Sequence, residues 1–417
     1  MRLFINQNIF QPLFKKNMKY FIKTFGCRVN FTESDELKQE LSKKLTYTTS
    51  EKDSDIIIIR ACSVTAKAEQ KVRQEIRKHK RAQKNIYVLG CFRQKIPEAN
   101  KYFESDKSFL RFIDNVDYDK RRSLCKQLPA KDISGLSPEY RLPKKENRTR
   151  AFIKIQDGCD FECSFCITRL LRGKSRCKSQ SQIIKQIKIK EAQGFKEIVL
   201  TGINILLYPD IHNLIKNILK QSTIPRIRFG SIDPRLINDR FIKLFKNPRL
   251  MPHMHLSLQS GSEIILKRMT RPIKIQKIRT IAKQLRAINP LFNLSADIIV
   301  GFLDETEKDF EKTLKLAKKL KLSKIHYFPY SPRPGTSAEN KKKLPAKLIT
   351  ARLQKIKKLD NVLQQEAIDN LKNKKIQILF ESFQKGFYIG YSPNFIRIKY
   401  PSKKNLTNYL KEIIISL

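Results

Sequence analysis

Short apolar runs alternate with amphipathic segments along the chain from residue 19 onward. The clearest run, residues 55–61, contains four consecutive isoleucines and predicts a strand that is buried on both faces. Similar runs at 20–25 and 85–90 flank it, and a charged helix over 66–81 lies between two of them. This alternation predicts a doubly wound parallel sheet, with Ser34 as the cap of the helix that follows the first strand.

The same alternation resumes at residue 151 and continues for about 190 residues. Its candidate strands are 152–155, 197–201, 226–231, 253–258, 294–300 and 324–330. Helical segments lie between them, for example 180–193, 262–269 and 307–320. Repeated β/α units of this kind predict an α/β domain in which a parallel sheet curves into a partial (β/α)6 barrel. The loops at the carboxyl ends of such strands carry the active site.

The pattern changes again near the end of the chain. A basic helix over 345–372 precedes alternating runs at 376–380, 386–390 and 394–400, which predict a small antiparallel β module. A chain of 417 residues is also too long for one core. The predicted organisation is an N-terminal sheet domain at 19–113, a linker at 114–150, the barrel at 151–344, a helical bridge at 345–373 and the β module at 374–417.

Three cysteines follow the first barrel strand with the spacing C-x3-C-x2-C. They are Cys159, Cys163 and Cys166. Three thiolates on one loop suit a metal ion or an iron–sulfur cluster. A four-iron cluster with three protein ligands leaves one iron open to bind something else, and this open position would be the place of the chemistry.

Three further cysteines, Cys27, Cys62 and Cys91, each follow a strand of the N-terminal sheet. Because the carboxyl ends of parallel strands lie along one edge of a sheet, we expect these cysteines to converge on a second cluster site. The alternative is three unrelated buried cysteines. Cys125 and Cys177 do not fit either spacing and are expected to be incidental.

The formal net charge is +47, which favours a polyanionic partner such as nucleic acid. The abundance of Lys, Ile and Asn and the absence of Trp equally fit an AT-rich genome, so charge alone does not identify RNA as the partner. No apolar run has the length of a membrane span, and no secretory signal is present, which predicts a cytoplasmic protein with reduced cysteines and no membrane partner. Residues 1–17 resemble a targeting helix, but we expect Met18 to be the working start.

The pattern C-x3-C-x-aromatic-C after the first strand of a β/α barrel resembles the radical S-adenosylmethionine superfamily. In that superfamily the open iron chelates the methionine part of the cofactor, and an electron from the cluster cleaves it to a 5′-deoxyadenosyl radical. Further motifs are similar to those of the methylthiotransferases, and the β module resembles their RNA-binding TRAM domain. These motifs are Gly26-Cys27-Arg28-Val29-Asn30, Ala61-Cys62-Ser63-Val64-Thr65, Gly90-Cys91, Leu258-Gln259-Ser260-Gly261-Ser262, Asp297 to Gly301 with Glu305, and Tyr330 to Gly335.

The first motif, together with Ala68-Glu69-Gln70-Lys71, is most similar to the branch that acts on N6-threonylcarbamoyladenosine in tRNA. The chain departs from the family pattern at Arg60-Ala61, Ser257 and Leu303-Asp304, where Asn-Thr, Pro and Pro-Gly are usual. None of these positions is a cysteine, so they affect the branch assignment more than the chemistry.

The resemblance implies an enzyme that replaces C–H by C–SCH3 at C2 of N6-threonylcarbamoyladenosine at position 37 of tRNA, next to the anticodon. A radical is needed because an aromatic C–H bond is too strong for acid–base removal. Cys159, Cys163 and Cys166 would hold the [4Fe-4S] cluster that cleaves S-adenosylmethionine. The other three cysteines would hold an auxiliary [4Fe-4S] cluster that carries the sulfur. S-adenosylmethionine would be both methyl donor and radical source, and the reaction would also need an electron donor and a sulfur source.

Several other residues are candidates for cofactor contacts. Phe165 would pack near the cofactor's adenine, or simply beneath the loop. Ser231, Gln259, Asp297 and Arg333 are expected at strand ends, where cofactor contacts belong, although helix capping and loop hydrogen bonds would explain them equally well. Aromatic residues of the β module would stack on bases or fill its core.

Two other kinds of function fit the sequence. The first is a methylthiotransferase that acts on isopentenyladenosine in tRNA or on a ribosomal protein side chain. The second is a non-enzymatic iron–sulfur or zinc RNA-binding protein in which both cysteine sets are structural. Zinc prefers four closed ligands, which two sets of three cysteines fit poorly.

Overall fold

The computed structural model describes residues 18–92, 97–124 and 148–415. It divides into two compact units, Met1–Lys144 and Lys145–Leu417. The predictions for residues 1–17, for Cys125 and for most of the linker lie outside the described residues. In the described part of the chain, no helix has the length and apolar character needed to cross a membrane.

The N-terminal unit is built around a parallel five-stranded sheet with the order β2-β1-β3-β4-β5. Its elements are β1 (Lys19–Thr24), α1 (Arg28–Leu41), β2 (Thr46–Tyr47), β3 (Ile56–Cys62), α2 (Ala66–Arg81), β4 (Asn85–Cys91), β5 (Lys101–Phe103) and α3 (Asp106–Leu124). Every residue of β3 is buried. Ile56 and Ile58 pack in the same cluster as Leu37 and Leu41 of α1, and the alternate isoleucines pack in another cluster with residues of α2. Helices therefore cover both faces of the sheet, as the predicted doubly wound fold requires.

One prediction for this unit is wrong. Ser34 does not cap α1, because the helix begins at Arg28 and Ser34 lies buried within it, accepting a hydrogen bond from Thr24 Oγ1 at 2.8 Å. The turn at Gly26, with φ of +102°, is tight enough for the helix to start directly after Cys27. Helix α3 continues through Leu124, into the range predicted as the linker.

The second unit contains the predicted partial barrel. In chain order its elements are β6 (Arg150–Lys154), β7 (Gln156–Asp157), α4 (Thr168–Arg172), β8 (Arg176–Cys177), α5 (Gln180–Ala192), β9 (Glu197–Thr201), α6 (Ile211–Gln221), β10 (Arg226–Phe229), β11 (Ser231–Ile232), α7 (Asp239–Leu244), β12 (His253–Gln259), α8 (Glu263–Arg268), α9 (Ile275–Ile288), β13 (Asn293–Val300), α10 (Glu307–Lys319), β14 (Leu322–Pro329) and α11 (Ala346–Asp369). Short 3-10 turns lie at Ile205–Leu207 and Pro234–Leu236.

The barrel strands form two parallel sheets, β10-β9-β6 and β11-β12-β13-β14. The predicted strand 226–231 is divided between them, because the chain passes from β10 to β11 at Gly230. Apolar side chains of the strands, such as Ile198, Ile227 and Leu256, belong to one core shared with the helices. The alternate positions carry polar and charged groups such as Arg228 and His255, which therefore lie on the opposite face of the strands.

The chain ends in an antiparallel sheet with the order β17-β16-β15-β18. Its strands are β15 (Lys375–Gln384), β16 (Phe387–Tyr391), β17 (Arg397–Tyr400) and β18 (Leu410–Ile414). Three of these strands are predicted by the sequence. The fourth, β18, is not, because its alternation is weak and it is recognisable only from its pairing with β15. The α/β class, the partial barrel and the antiparallel module are confirmed.

Two buried arginines of β10 attach the β module to the amino ends of the barrel strands. Arg228 donates to Glu197 Oε1 at 2.6 Å, to the Pro393 carbonyl at 2.8 Å and to the Ser392 carbonyl at 2.9 Å. Arg226 donates to the Tyr391 carbonyl at 3.1 Å. Because Glu197 is only 1% exposed, its carboxylate depends on these two guanidinium groups for compensation of its charge.

We expect Arg228→Met to lower the free energy of unfolding of the second unit by about 3 kcal/mol, since it leaves a buried carboxylate short of a partner. Thermal unfolding of the full-length protein, followed by circular dichroism, measures this effect. Arg397→Met is the matched control, because Arg397 is exposed on β17. Equal melting temperatures for the two variants would show that the buried contacts do not hold the module.

Candidate active site

A buried glutamine organises the backbone of the three-cysteine loop. Gln156 is 1% exposed. Its Nε2 donates to the Gly158 carbonyl at 2.7 Å and to Ser175 Oγ at 2.9 Å, and its Oε1 accepts from Asn204 N at 2.8 Å. One amide therefore links the start of the loop, the returning chain before β8 and the loop after β9.

Gly158 gives the loop its direction. Its φ is +70°, and a Cβ atom at this position would lie 2.0 Å from the carbonyl oxygen of Lys174. Only glycine fits such a close approach of two backbone segments. The next residue, Cys159, donates its N–H to the Gly173 carbonyl at 3.1 Å, so the loop is pinned to the segment before β8.

The three thiols of the loop are partly exposed. Burial raises the pKa of the Cys159 thiol, and the charges of Cys163 and Cys166 act in the same direction, against hydrogen bonds from Phe161 and Asn204. Cys166 N donates to the Cys163 carbonyl at 2.9 Å, which closes a tight turn between the last two cysteines. Three accessible sulfur ligands on a fixed loop suit a [4Fe-4S] cluster with one open iron.

Ser164 fastens the middle of the loop to two other parts of the barrel. Its N–H donates to the Met269 carbonyl at 3.1 Å and its Oγ to the Arg268 carbonyl at 2.9 Å, both at the end of α8. Its carbonyl accepts from Ala338 N at 3.0 Å, in the segment after β14. The loop is thus held by α8, which follows β12, and by the segment that follows β14.

The charged surroundings of Cys163 are not evident from the sequence. Arg271 Nη1 lies 3.3 Å and Arg235 Nη2 lies 3.7 Å from its Sγ. Both guanidinium groups pair with Asp233, at 3.1 and 2.7 Å. Burial works against ionisation of Asp233, yet the hydrogen bond from Arg235 and the charges of both arginines hold its pKa below the usual range.

Phe165 lies on the loop between its last two cysteines. It is partly buried against a cluster that includes Met269 and Tyr330, and its ring centroid is 6.3 Å from that of Phe302. These contacts are ordinary packing, and a contact with the cofactor's adenine stays a prediction.

The four other candidates for cofactor contacts are spread over three strands and a loop. Ser231 lies on β11, Gln259 ends β12 with φ of +74°, and Arg333 is buried in the loop after β14. Asp297 is not at a strand end, as the sequence suggested, but three residues before the end of β13. The predicted strand 294–300 already ends at Val300, as β13 does, so Asp297 lies within the strand, and its contact with the cofactor stays a prediction.

Asp297 instead belongs to a polar group within the barrel strands that the sequence did not single out. Its Oδ1 lies 3.1 Å from His255 Nε2 and 3.8 Å from His326 Nδ1. His255 Nδ1 is 2.8 Å from Ser295 Oγ. The one available sequence signal was that polar residues occupy alternate positions of β12, β13 and β14, the face opposite the apolar core.

In the N-terminal unit, the three predicted cysteines lie at the carboxyl ends of neighbouring strands. Cys62 and Cys91 are paired in register at the ends of β3 and β4. Cys27 follows β1 and precedes α1 directly, and a Cβ on Gly26 would lie 2.6 Å from Cys62 Cβ. Asn30, whose role the sequence did not reveal, donates to the Phe25 and Ala61 carbonyls at 2.7 and 2.8 Å and so holds these strand ends together.

Gly158→Ala tests whether the backbone of the loop creates the ligand site. We expect this variant, after anaerobic reconstitution, to bind about half the iron of the unchanged protein, because the loop cannot close around the Lys174 carbonyl. Gly194→Ala is the matched control: it has a similar φ of +79°, but no atom lies within 4 Å of its added Cβ. Iron analysis of both variants is the measurement, and equal iron in the two would contradict the assignment.

Comparison with protein families agrees with both halves of this arrangement. Residues 153–317 match the radical SAM superfamily, and residues 19–110 match a family described as uncharacterized protein family UPF0004. The solved structure of the radical S-adenosylmethionine methyltransferase TsrM from Kitasatospora setae superposes with a TM-score of 0.56 at 11% identity, over 78% of this chain and 77% of that one. At such low identity the likeness concerns the fold alone.

Relatives with higher identity cover most of the chain. The threonylcarbamoyladenosine tRNA methylthiotransferase MtaB of Thermotoga maritima is 38% identical over 76% of this chain and 76% of its own length. The protein of the same name from Rickettsia prowazekii is 34% identical over 93% and 92%. The tRNA-2-methylthio-N(6)-dimethylallyladenosine synthase of Dictyoglomus thermophilum is 34% identical over 77% and 78%. The chain belongs to the radical S-adenosylmethionine methylthiotransferase family and is an enzyme that transfers a sulfur-containing group.

Proposed function

We propose that this enzyme installs the methylthio group at C2 of N6-threonylcarbamoyladenosine at position 37 of tRNA. Membership in the family supports the transfer of a methylthio group. The first cysteine motif and the names of the Thermotoga and Rickettsia relatives support this nucleoside. The observation that carries the proposal is the presence of two three-cysteine sets, one on the loop that follows β6 and β7 and one at the carboxyl ends of β1, β3 and β4.

The residues of the loop fit the cluster that the superfamily uses. Cys159, Cys163 and Cys166 offer three partly exposed thiols from one fixed backbone turn. A bound [4Fe-4S] cluster with S-adenosylmethionine supplies an oxidising carbon radical that can remove a hydrogen atom from an unreactive C–H bond. The chain's own part is to hold the ligands in place, through Gln156, Gly158 and Ser164.

We propose Cys27, Cys62 and Cys91 as ligands of an auxiliary [4Fe-4S] cluster that carries the sulfur. Their placement at adjoining strand ends supports this assignment. The hydrogen bonds by which Asn30 connects two of those ends support it as well. Three ligands again leave one iron open, as a site that presents sulfur to a substrate requires. S-adenosylmethionine is then both methyl donor and radical source, and a sulfur source and a one-electron donor complete the reaction.

The tRNA contacts are proposed on the β module. Phe383 and Phe387 lie on either side of the turn between β15 and β16 and are 56% and 42% exposed. Lys385 lies in the same turn, and Arg397 is exposed on the adjacent strand β17. Exposed aromatic rings beside basic side chains stack on bases and bind phosphates.

The Dictyoglomus relative makes isopentenyladenosine in tRNA the second candidate substrate. The polar group formed by His255, Asp297 and His326 favours the first candidate. A threonylcarbamoyl substituent carries a carboxylate, a hydroxyl and a ureido group that form hydrogen bonds with polar side chains of this kind, whereas a prenyl group forms none.

Nucleoside analysis identifies the substrate. We expect tRNA from a deletion strain to lack the methylthio form of N6-threonylcarbamoyladenosine, and the restored gene to bring it back, as measured by liquid chromatography and mass spectrometry. Loss of methylthio-isopentenyladenosine instead would establish the second candidate. Unchanged tRNA nucleosides would overturn both and indicate a protein substrate.

Cys27→Ala separates the two cysteine sets. The reconstituted protein should carry about eight irons before the change and about four after it. We expect the variant to keep forming 5′-deoxyadenosine from S-adenosylmethionine while making no methylthio product. Cys177→Ala, which removes an exposed cysteine outside both sets, should retain iron and product. A Cys27→Ala protein that still methylthiolates tRNA would rule out the auxiliary cluster.

A further inference from the structure

Positive charge lies directly beside the sulfur of Cys163. Two guanidinium groups reach its sulfur, Arg271 at 3.3 Å and Arg235 at 3.7 Å. The groups that lower the pKa of Cys159, by contrast, are a backbone N–H and the amide of Asn204, both neutral. The loop therefore presents one sulfur to cationic N–H donors.

The two arginines come from separate parts of the barrel and meet at Asp233. Arg235 lies in the turn after β11, and Arg271 follows α8. Asp233, which is 4% exposed, pairs with both guanidinium groups and so fixes them side by side. Further contacts complete the arrangement: Arg271 Nη2 donates to the Ser257 carbonyl at 2.7 Å, and the Arg235 guanidinium lies 3.9 Å from the centroid of the Phe161 ring.

This arrangement does more than hold the loop. The loop backbone also has anchors of its own, at Gln156, Gly158 and Ser164. Burying a carboxylate with two guanidinium groups is costly unless their remaining N–H groups find acceptors. In this structure one N–H of each arginine is directed at Cys163 Sγ, so the sulfur completes the hydrogen bonding of the charged group.

Hydrogen bonds and positive charge at a ligand sulfur affect one property of an iron–sulfur cluster directly. They stabilise the state with the extra electron, since that electron increases the negative charge on the sulfurs, and so they raise the reduction potential. The surrounding protein sets this potential over a wide range through such contacts, net charge and exposure to solvent.

We propose that Arg235 and Arg271, held by Asp233, are positioning residues that raise the reduction potential of the cluster bound by Cys159, Cys163 and Cys166. The inference rests on the proposed function, since it requires the cluster to be there. The step concerned is the transfer of one electron from a low-potential protein donor: the donor is oxidised by one electron, the cluster is reduced by one, and no bond breaks and no proton moves. The arginines thereby bring the cluster within reach of a donor that reduces the unassisted cluster poorly.

The test is a potentiometric titration of the reconstituted cluster followed by electron paramagnetic resonance. It is done in the Cys27→Ala protein, so that one cluster is observed. We expect Arg271→Gln and Arg235→Gln each to shift the midpoint potential to a more negative value, with a larger shift when both are changed. Arg279→Gln is the matched control, because this exposed arginine lies eight residues after Arg271 and donates to Gln276 Oε1. Its midpoint should stay unchanged, although one positive charge is lost.

A conservative change separates a positioning role from a purely structural one. Arg271→Lys keeps the charge and a donor, so we expect it to retain more of the wild-type potential than Arg271→Gln does. If Arg271→Gln does not fold, Arg235→Gln carries the test, because its side chain is more exposed and lies at the turn. Midpoints in the Arg235 and Arg271 variants equal to that of the parent would overturn the inference.

Failure of the proposed function has a different signature. If the Cys27→Ala protein with all its arginines assembles no cluster, the assignment of Cys159, Cys163 and Cys166 as ligands is wrong, and the inference is wrong with it. If the cluster assembles and supports cleavage of S-adenosylmethionine, but its midpoint potential is the same with and without the arginines, only the inference is wrong.

Discussion

The candidate active site depends on one buried amide. Gln156 uses both its donor and its acceptor to join three backbone segments: the start of the cysteine loop, the chain before β8 and the loop after β9. A buried amide that lost these partners would leave several polar groups unsatisfied, at a cost of roughly 1–3 kcal/mol for each group. The positions of the three thiols follow from this bond set together with the close backbone approach at Gly158.

Both units place their cysteines by the same geometric rule. The side chains that follow parallel strands gather at the carboxyl edge of the sheet, whatever their separation in sequence. In the N-terminal unit this brings residues from three β/α units to one edge. In the barrel it supplies the anchors of a single loop, since Ser164 bonds to segments after β12 and β14. The N-terminal cysteine set is therefore assembled from separate strands. The barrel set lies on one loop, which is held by segments that are distant in sequence.

Two buried carboxylates of the second unit each lie between two arginines, with different consequences. Glu197 lies between Arg226 and Arg228 at the amino ends of the strands, where the remaining N–H groups bond to carbonyls of the β module. Asp233 lies between Arg235 and Arg271 at the carboxyl side, where N–H groups are directed at Cys163. Backbone carbonyls take no part in electron transfer, so the group around Glu197 only stabilises the attachment of the β module. The group around Asp233 faces a ligand sulfur and can influence electron transfer to the cluster.

The sequence by itself determined the strands, their parallel arrangement and the two cysteine sets, because apolar runs and the spacing of cysteines are local signals. It misplaced Ser34 and missed β18, since helix starts and weak strand pairings depend on the neighbouring backbone. The pairing of Asp233 with Arg271, and of Asp297 with His255, was decided only by the tertiary structure. These residues lie about 40 positions apart, and no periodicity of the chain relates side chains that meet only when the barrel closes.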